Sequence, residues 1–158
     1  MKFDKLGLIG PLLQATVDQG YDHPTPIQEQ TFLHVAEGRD VLGCAQTGTG
    51  KTAAFGIPIL EKIEEAPGSP VALIMVPTRE LAVQVRDELR KLSFGRGLRT
   101  IACYGGKPLL KQARQLQDGV HVVVGTPGRI LDLRRRGPLK FDGLQVVVLD
   151  EADRMLDM

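Results

Sequence analysis

The sequence predicts a single α/β domain with a mostly parallel central sheet flanked by helices. Short apolar runs alternate along the chain with segments of helical periodicity. The runs are apolar on successive residues, which is typical of strands that are buried on both faces of a parallel sheet. The length of 158 residues fits one domain and is enough for a sizeable core.

The predicted elements follow one another with short connections. The predicted strands cover residues 41–44, 71–76, 100–104, 121–124 and 145–149, and the predicted helices cover residues 8–19, 26–37, 51–64, 79–92, 108–117 and 127–135. Gly20 follows the first helix as a C-terminal glycine. Thr25, Pro26 and Gln28 match an N-cap, a first-turn proline and a capping-box partner for the second.

Composition excludes several classes of protein. Charged residues make up 25% and hydrophobic residues 42% of the chain, so a disordered tail is excluded. The longest apolar runs, such as residues 71–76, fall far short of the roughly 20 residues of a membrane helix. No signal peptide is visible, and Cys44 and Cys103 are interpreted as reduced core residues. We therefore expect a cytoplasmic protein that contacts no membrane.

The basic residues are concentrated in one part of the chain. Residues 86–140 hold 13 basic and four acidic residues, although the whole chain has a formal charge of only +1. Such a segment could contact nucleic-acid phosphates, or its charges could belong to solvated helix faces. Aromatic residues make up only 4% of the chain, so a platform for stacked bases fits poorly. Any nucleic acid is therefore expected to be bound through its sugar–phosphate backbone.

A candidate phosphate-binding loop lies between a predicted strand and a predicted helix. It consists of Ala45, Gln46, Thr47, Gly48, Thr49, Gly50, Lys51 and Thr52. Gly48 and Gly50 would let backbone amides converge on a phosphate at the start of a helix, Lys51 would reach the β- and γ-phosphates, and Thr52 would bind Mg²⁺. Ala45 replaces the first glycine of the general pattern. The alternative is a glycine-rich turn with no ligand.

Carboxylates follow the last predicted strand. Asp150, Glu151, Ala152 and Asp153 come directly after residues 145–149. The carboxyl ends of parallel strands are where ligands bind in open α/β sheets, so Asp150 could hold Mg²⁺ and Glu151 could orient or deprotonate a water. The alternative is an acidic helix start that complements the helix dipole. Together with the loop, these residues predict a Mg²⁺-dependent NTPase.

The combined motifs resemble the DEAD-box ATP-dependent RNA helicase family from Phe3 to Asp157. Residues 45–52 resemble motif I, including the family's alanine at Ala45, and residues 150–153 spell motif II. Residues 20–28 resemble the Q motif, with Phe3 as its upstream aromatic residue. The resemblance implies an N-terminal RecA-like domain, with a Q-motif region at residues 1–28 and a P-loop core at 29–158. It also implies that Phe3, Tyr21 and Gln28 contribute to ATP binding, with Phe3 stacking on the adenine and Gln28 recognising its edge.

Three further stretches resemble motifs that contact RNA. They are Pro77, Thr78 and Arg79 in motif Ia, the pair Gly105 and Gly106, and Thr126, Pro127, Gly128 and Arg129 in motif Ib. Each follows a predicted strand at or near a helix start, where backbone amides and an arginine can bind phosphate without reading bases. Each could alternatively be an ordinary turn. His23, His34 and His121 lack metal-ligand spacing and are expected to be structural.

The resemblance also implies what lies beyond this sequence. Family members continue after motif II with a Ser-Ala-Thr motif and a second RecA-like domain that carries arginine fingers. An arginine finger contributes about 10³–10⁵ in rate, so we expect the 158-residue chain alone to hydrolyse ATP very slowly and not to unwind duplexes. The Ser-Ala-Thr strand would lie between the strands ending at Cys44 and Leu149. We therefore expect either a gap there or a re-paired sheet.

Three functions remain open at this point. The first is the ATP- and RNA-binding domain of a helicase that unwinds or remodels RNA duplexes. The second is a non-catalytic module that binds ATP or RNA and acts with a partner chain, which turnover with and without RNA would distinguish. The third is a P-loop enzyme that phosphorylates a small molecule, which failure to bind RNA would favour.

Overall fold

The computed structural model describes residues 2–3, 10–45, 50–64 and 68–156. The chain divides into two compact units, Met1–Glu64 with Glu88–Gly97 and Glu65–Asp87 with Leu98–Met158. No helix in the described part of the chain is long and apolar enough to cross a membrane.

Three helices and the end of a fourth form the first unit. They are α1 (Gly10–Asp18), α2 (Pro26–Ala36), α3 (Lys51–Lys62) and the last residues of α4 (Arg79–Leu92). Helix α2 packs against α3, which also contacts α1. Phe32 on α2 and Ile57 and Leu60 on α3 are buried, and this apolar packing holds the helices together.

A buried arginine satisfies the carbonyl groups at the end of α3. The guanidinium of Arg96 donates one hydrogen bond to the carbonyl oxygen of Leu60 and another, at 2.8 Å, to that of Ile63. The last carbonyls of a helix have no partner within the helix, so Arg96 supplies one from outside. The arginine therefore fixes the end of the helix that begins at Lys51.

A four-stranded parallel sheet forms the second unit. The strands are β1 (Ala72–Met75), β2 (Thr100–Cys103), β3 (Val122–Gly125) and β4 (Val146–Leu149), in the spatial order β2-β3-β1-β4. The connections run through α4, α5 (Leu109–Gln117) and α6 (Pro127–Arg136), and the short α7 (Ala152–Met155) follows β4. Parallel neighbours require such crossover connections. The predicted helices of this unit are confirmed, whereas α7 was not predicted.

The core of the second unit lies around β3. Every residue of β2 and β3 is buried. The side chains that pack together from the sheet and from α5 and α6 include Leu73, Ile101, Cys103, Leu116, Val123, Ile130 and Leu133. Continuous apolar runs therefore predicted these two strands correctly, because the sheet is covered on both faces at β2 and β3.

The predicted strand at residues 41–44 is wrong. Residues 41–45 form neither strand nor helix; the side chain of Leu42 is 96% exposed, and Cys44 is exposed rather than in the core. Extended backbone becomes a stable strand only when a neighbouring strand satisfies its amide and carbonyl groups. No strand of the described sheet pairs with this segment, so its apolar composition did not produce a strand.

Strand β4 lies at the edge of the sheet. Its only strand neighbour in the described part of the chain is β1, and Val147 and Leu149 remain exposed. Of the two outcomes expected for this side of the sheet, re-pairing with residues 41–44 does not occur among the described residues. Within the described sheet, no strand lies on the other side of β4.

Candidate functional site

The start of α2 is fixed by the side chain of Gln28. The Gln28 Oε1 accepts a hydrogen bond from the Thr25 backbone amide at 3.0 Å, and the Gln28 Nε2 donates one to the Gly50 carbonyl at 3.0 Å. Gln28 is 3% exposed. The Thr25 N-cap, the Pro26 first-turn proline and the Gln28 capping contact are confirmed. Gln28 thus ties the predicted Q motif to the last glycine before α3.

Gly50 adopts a conformation that few other residues could take there. Its φ of 80° lies in the left-handed region, which favours glycine. A Cβ at this position would lie 2.5 Å from the Gln28 Nε2 and 3.1 Å from side-chain atoms of Thr25. The backbone at the start of α3 therefore approaches α2 closely, and the contact requires a residue with no side chain.

Lys51 and Thr52 occupy the first turn of α3, and both are half-buried. The first backbone amides of a helix have no carbonyl partner within it, so this end can donate hydrogen bonds to an anion. Gln46, Thr47, Gly48 and Thr49 lie outside the described residues. The described part of the predicted loop thus consists of Ala45, Gly50, Lys51 and Thr52.

Phe3 and Tyr21 belong to an aromatic cluster. The Phe3 ring centroid lies 6.1 Å from that of Tyr21, in a stacked arrangement, and 6.1 Å from that of Phe32. Phe3 is only 3% exposed, so stacking on an adenine would require this cluster to rearrange. The Tyr21 hydroxyl donates to the Glu88 carboxylate at 3.2 Å. Burial, with the charge of Glu88 and this hydrogen bond, raises the pKa of Tyr21 to about 12.

The other predicted site residues lie together in the second unit. In the spatial order of the strands, residues 104–107 follow β2, 126–129 follow β3, 77–79 follow β1 and 150–151 follow β4. We call these four segments the carboxyl edge. Because the strands are parallel, their carboxyl ends lie at the same end of the sheet. The sheet therefore brings the three motifs predicted to contact RNA and the DEAD motif to one edge.

The segment after β1 starts helix α4. The Thr78 hydroxyl accepts a hydrogen bond from the Leu81 backbone amide at 3.2 Å, as an N-cap does. The side chain of Arg79 is exposed and donates from Nε to Glu80 at 3.0 Å, and this hydrogen bond lowers the pKa of the Glu80 carboxyl. A Cβ built on Gly106 would lie 3.4 Å from the Arg79 Nη1. The end of the Arg79 side chain thus lies beside Gly106, the second of the paired glycines.

The segment after β3 starts helix α6. Thr126 is the N-cap and Pro127 is the first helical residue, while the Thr126 amide donates to the Cys103 carbonyl at 3.1 Å. Gly128 in the first turn is exposed, and Pro127 is half-buried. Burial raises the pKa of the Cys103 thiol to about 12, with a smaller opposing effect of the Arg129 charge. Cys103 therefore remains protonated at neutral pH.

Arg129 is held by two neighbours. Its Nη1 donates to the Lys107 carbonyl at 2.9 Å and to the Gln112 Oε1 at 3.0 Å. Gln112 in turn donates from Nε2 to the Tyr104 carbonyl at 3.1 Å. Gln112 is not among the site residues predicted from the sequence. The sequence feature that could have indicated it is a polar residue on the apolar face of α5, at helical spacing from Leu109, Ala113 and Leu116.

The DEAD motif turns sharply after β4. Asp150 is 5% exposed, and its backbone amide donates to the Met75 carbonyl at 2.9 Å. Glu151 has φ 53° and ψ 48°, a left-handed conformation that strains a residue with a side chain by about 1–3 kcal/mol. Its Oε2 accepts a hydrogen bond from the Arg154 Nη1 at 2.8 Å. Strained backbone of this kind is concentrated at functional sites.

Two histidines, His34 and His121, have partners in the structure. The Nδ1 of His34 lies 3.2 Å from Arg39, and that of the buried His121 accepts from the Arg99 amide at 2.9 Å. Among the described residues, no group of three or more His, Cys, Asp or Glu side chains could hold a metal ion.

Several known proteins are similar to this chain in sequence. A profile of the family described as DEAD/DEAH box helicase matches residues 25–158. The DEAD-box ATP-dependent RNA helicase CshA of Streptococcus pneumoniae is 49% identical over 158 residues, which cover 100% of this chain and 30% of that protein. The ATP-dependent RNA helicase CshA of Listeria monocytogenes is 49% identical over 157 residues, which cover 99% of this chain and 30% of that protein. The chain thus spans 30% of the length of these relatives.

A solved structure shares the fold. The crystal structure of a DEAD box protein from the hyperthermophile Methanococcus jannaschii matches with a TM-score of 0.95 and 40% identity, covering 100% of this chain and 43% of that one. The parallel sheet and its flanking helices are therefore RecA-like, as the sequence predicted. From the profile match, the relatives and the fold together, the chain belongs to the DEAD/DEAH box helicase family.

Proposed function

We propose that this chain binds ATP with Mg²⁺ and contacts the sugar–phosphate backbone of RNA. It would do so as part of a cytoplasmic ATP-dependent helicase that unwinds or remodels RNA. The observation that supports the proposal most strongly is the carboxyl edge, where one end of a single sheet brings together the DEAD motif and the three motifs predicted to contact the RNA backbone. The two cysteines are free thiols, which fits the reducing cytoplasm. The intact protein would also contain a second RecA-like domain.

The start of α3 would bind the phosphates. Lys51 would neutralise the β- and γ-phosphates, and the amides of the first helical turn would donate to their oxygens. Gln46, Thr47, Gly48, Thr49 and Gly50 would complete the loop. Oxygen donors suit Mg²⁺, and the Thr52 hydroxyl and the buried Asp150 carboxylate are such donors. Bound Mg²⁺ would polarise the phosphoryl oxygens. Glu151 would orient the attacking water and accept its proton.

Gln28 retains hydrogen-bonding capacity for adenine. A side-chain amide has two acceptor lone pairs and two N–H donors. The bonds to Thr25 and Gly50 use one of each, which leaves one acceptor and one donor for the edge of the base. Tyr21 and Phe3 would border the base, with Phe3 stacking on it once the aromatic cluster rearranges.

The RNA backbone would lie along the carboxyl edge. Arg79 and Arg129 would pair with phosphates, and amides at the starts of α4 and α6 would donate to phosphate oxygens. The residues expected to line this contact are Pro77, Thr78, Arg79, Gly105, Gly106, Thr126, Pro127, Gly128 and Arg129. Because no base edge is read, affinity should depend little on sequence.

Calorimetry tests the nucleotide part of the proposal. ATP and ADP are titrated with Mg²⁺ into the 158-residue chain, its Lys51→Ala variant and a Lys62→Ala control in the last turn of the same helix. We expect binding to the wild-type chain and to Lys62→Ala, and none to Lys51→Ala, since only Lys51 would touch phosphate. Equal ATP affinity of all three proteins would contradict the proposed site.

A non-catalytic ATP- and RNA-binding module is the second candidate. The contact between Arg154 and the Glu151 carboxylate favours it, because the oxygen that accepts from Arg154 has less capacity to accept a hydrogen bond from an attacking water. Phosphate release is measured with and without RNA on an intact protein that includes the proposed second RecA-like domain, because the 158-residue chain alone is expected to hydrolyse ATP very slowly under either candidate. Turnover that RNA stimulates would identify an enzyme, whereas ATP binding without turnover would identify the module.

A further inference from the structure

Gln112 connects two segments of the carboxyl edge. Its Oε1 accepts from Arg129 of the segment after β3, at 3.0 Å, and its Nε2 donates to the carbonyl of Tyr104, in the segment after β2, at 3.1 Å. Arg129 closes the connection by donating to Lys107 at 2.9 Å. The two segments and the Arg129 guanidinium are thus joined by three hydrogen bonds.

We propose that Gln112 is a positioning residue for RNA binding, which holds the guanidinium of Arg129 against the loop at residues 104–107 in the orientation that phosphate requires. This inference rests on the proposed function. It adds a residue that lies outside all the recognised motifs, on the core-facing side of α5.

Packing alone does not account for a glutamine at this position. Gln112 is 4% exposed and lies on the same side of α5 as the buried Ala113 and Leu116. A buried amide is unfavourable unless its polar atoms find partners, and an apolar side chain would avoid that requirement. The hydrogen-bond partners of Gln112 belong to the carboxyl edge, so its polar side chain stabilises that surface.

The contact leaves Arg129 able to bind phosphate. A guanidinium carries five N–H groups in a fixed plane. Both hydrogen bonds described here come from Nη1, which carries two of them, and three remain on Nε and Nη2. Gln112 therefore orients the group without occupying the N–H groups that would face a phosphate. An arginine held in this way loses less side-chain freedom when RNA binds.

RNA affinity of variants tests the inference. Fluorescence anisotropy with a labelled single-stranded oligouridine is measured at fixed salt for the wild-type chain, Gln112→Met, Gln112→Glu and a Gln117→Met control on the exposed side of α5. We expect Gln112→Met to weaken binding by roughly three- to tenfold, because Arg129 must then be ordered by the RNA. Gln112→Glu keeps the acceptor for Arg129 and should recover most of that loss.

A double-mutant cycle with Arg129→Ala shows whether Gln112 acts through Arg129. If it does, Gln112→Met in the Arg129→Ala background should change RNA affinity by less than about twofold. Losses that multiply would overturn the inference, as would a Gln112→Met affinity equal to that of wild type. Thermal melts and ATP calorimetry on the same samples detect misfolding. If Gln112→Met misfolds, Gln112→Ala with and without Arg129→Ala provides the same test.

Failure of the proposed function would look different. If the wild-type chain does not bind the oligouridine, or if Arg129→Ala leaves its affinity unchanged, the RNA-binding proposal fails and this inference fails with it. If Arg129→Ala weakens binding but Gln112→Met does not, only the role of Gln112 is wrong.

Discussion

Each unit contains a buried glutamine whose side-chain amide is hydrogen-bonded at both ends, but the partners of the two glutamines differ. Gln28 is 3% exposed and Gln112 is 4% exposed, and each uses both ends of its amide within 3.1 Å of a partner. Gln28 bonds backbone groups at both ends, namely Thr25 and Gly50. Gln112 bonds one backbone carbonyl and the side chain of Arg129.

The difference between them predicts different consequences of mutation. Loss of Gln28 leaves two backbone groups without their partner and loosens the junction between α2 and the start of α3. Loss of Gln112 leaves one carbonyl and releases a side chain that water can solvate. Loss of the backbone contacts of Gln28 is therefore expected to lower mainly the free energy of unfolding. Loss of the contact that orients Arg129 is expected to lower mainly ligand affinity.

The largest expected effect comes from filling the space that Gln28 and Gly50 share. In Gly50→Ala the new Cβ would lie 2.5 Å from the Gln28 Nε2 on a backbone with φ 80°. Overlap and left-handed strain together should lower the free energy of unfolding by about 3 kcal/mol, and ATP affinity should fall with it. Thermal or urea unfolding and calorimetry measure both quantities.

Gly106→Ala in the second unit is the matched control. Its φ of 84° is similar, but its nearest neighbour is the flexible end of Arg79 at 3.4 Å. Only backbone strain should remain, about 1 kcal/mol. Equal losses in the two variants would show that φ alone matters and that the approach of Gln28 to Gly50 does not restrict residue 50.

Replacing both glutamines by methionine compares them directly. Gln28→Met should lower the free energy of unfolding by about 2 kcal/mol, since two partly buried backbone groups lose a partner. Gln112→Met should lower it by about 1 kcal/mol, because Arg129 can still bond Lys107 or water. Gln30→Met, on the exposed side of α2, controls for helix propensity. A larger loss for Gln112→Met would reverse the comparison.

The same two glutamines show which contacts can be predicted from the sequence and which cannot. Gln28 follows Thr25 and Pro26 at a helix start, so a local rule was enough to predict its capping contact. Gln112 bonds residues 8 and 17 positions away, and no local rule relates them. The position of Gln28 relative to Gly50, 22 residues on, was equally beyond local rules. Long-range contacts of this kind depend on the packed fold.

The strands show the same limit. Four apolar runs were correctly predicted as strands because the described sheet supplies each with a parallel neighbour. The run at residues 41–44 has similar composition and no such neighbour in that sheet, and it is exposed. Apolar composition predicts that a segment can form a strand; only a pairing partner makes it one.

The smallest expected effect tests whether Gln28 alone holds the segment that precedes α2. Tyr21 lies in that segment and donates to Glu88 at 3.2 Å. Tyr21→Phe removes this hydrogen bond while keeping the ring beside Phe3, and should lower the free energy of unfolding at pH 7 by about 1 kcal/mol. A loss as large as that of Gln28→Met would mean that the tyrosine and the glutamine contribute equally.

The pH dependence of stability identifies the same contact. The pKa of Tyr21 is raised from 10.0 to about 12, so the folded chain holds the phenolic proton more tightly than the unfolded chain does. The resulting stabilisation is fully present below pH 10.0 and is lost as the pH rises toward 12. Because the ring is partly exposed, solvent screening limits this contribution to about 1 kcal/mol. The difference in stability between wild type and Tyr21→Phe should therefore shrink above pH 10.0, and a difference that stays constant to pH 12 would show that the hydroxyl does not contribute through its proton.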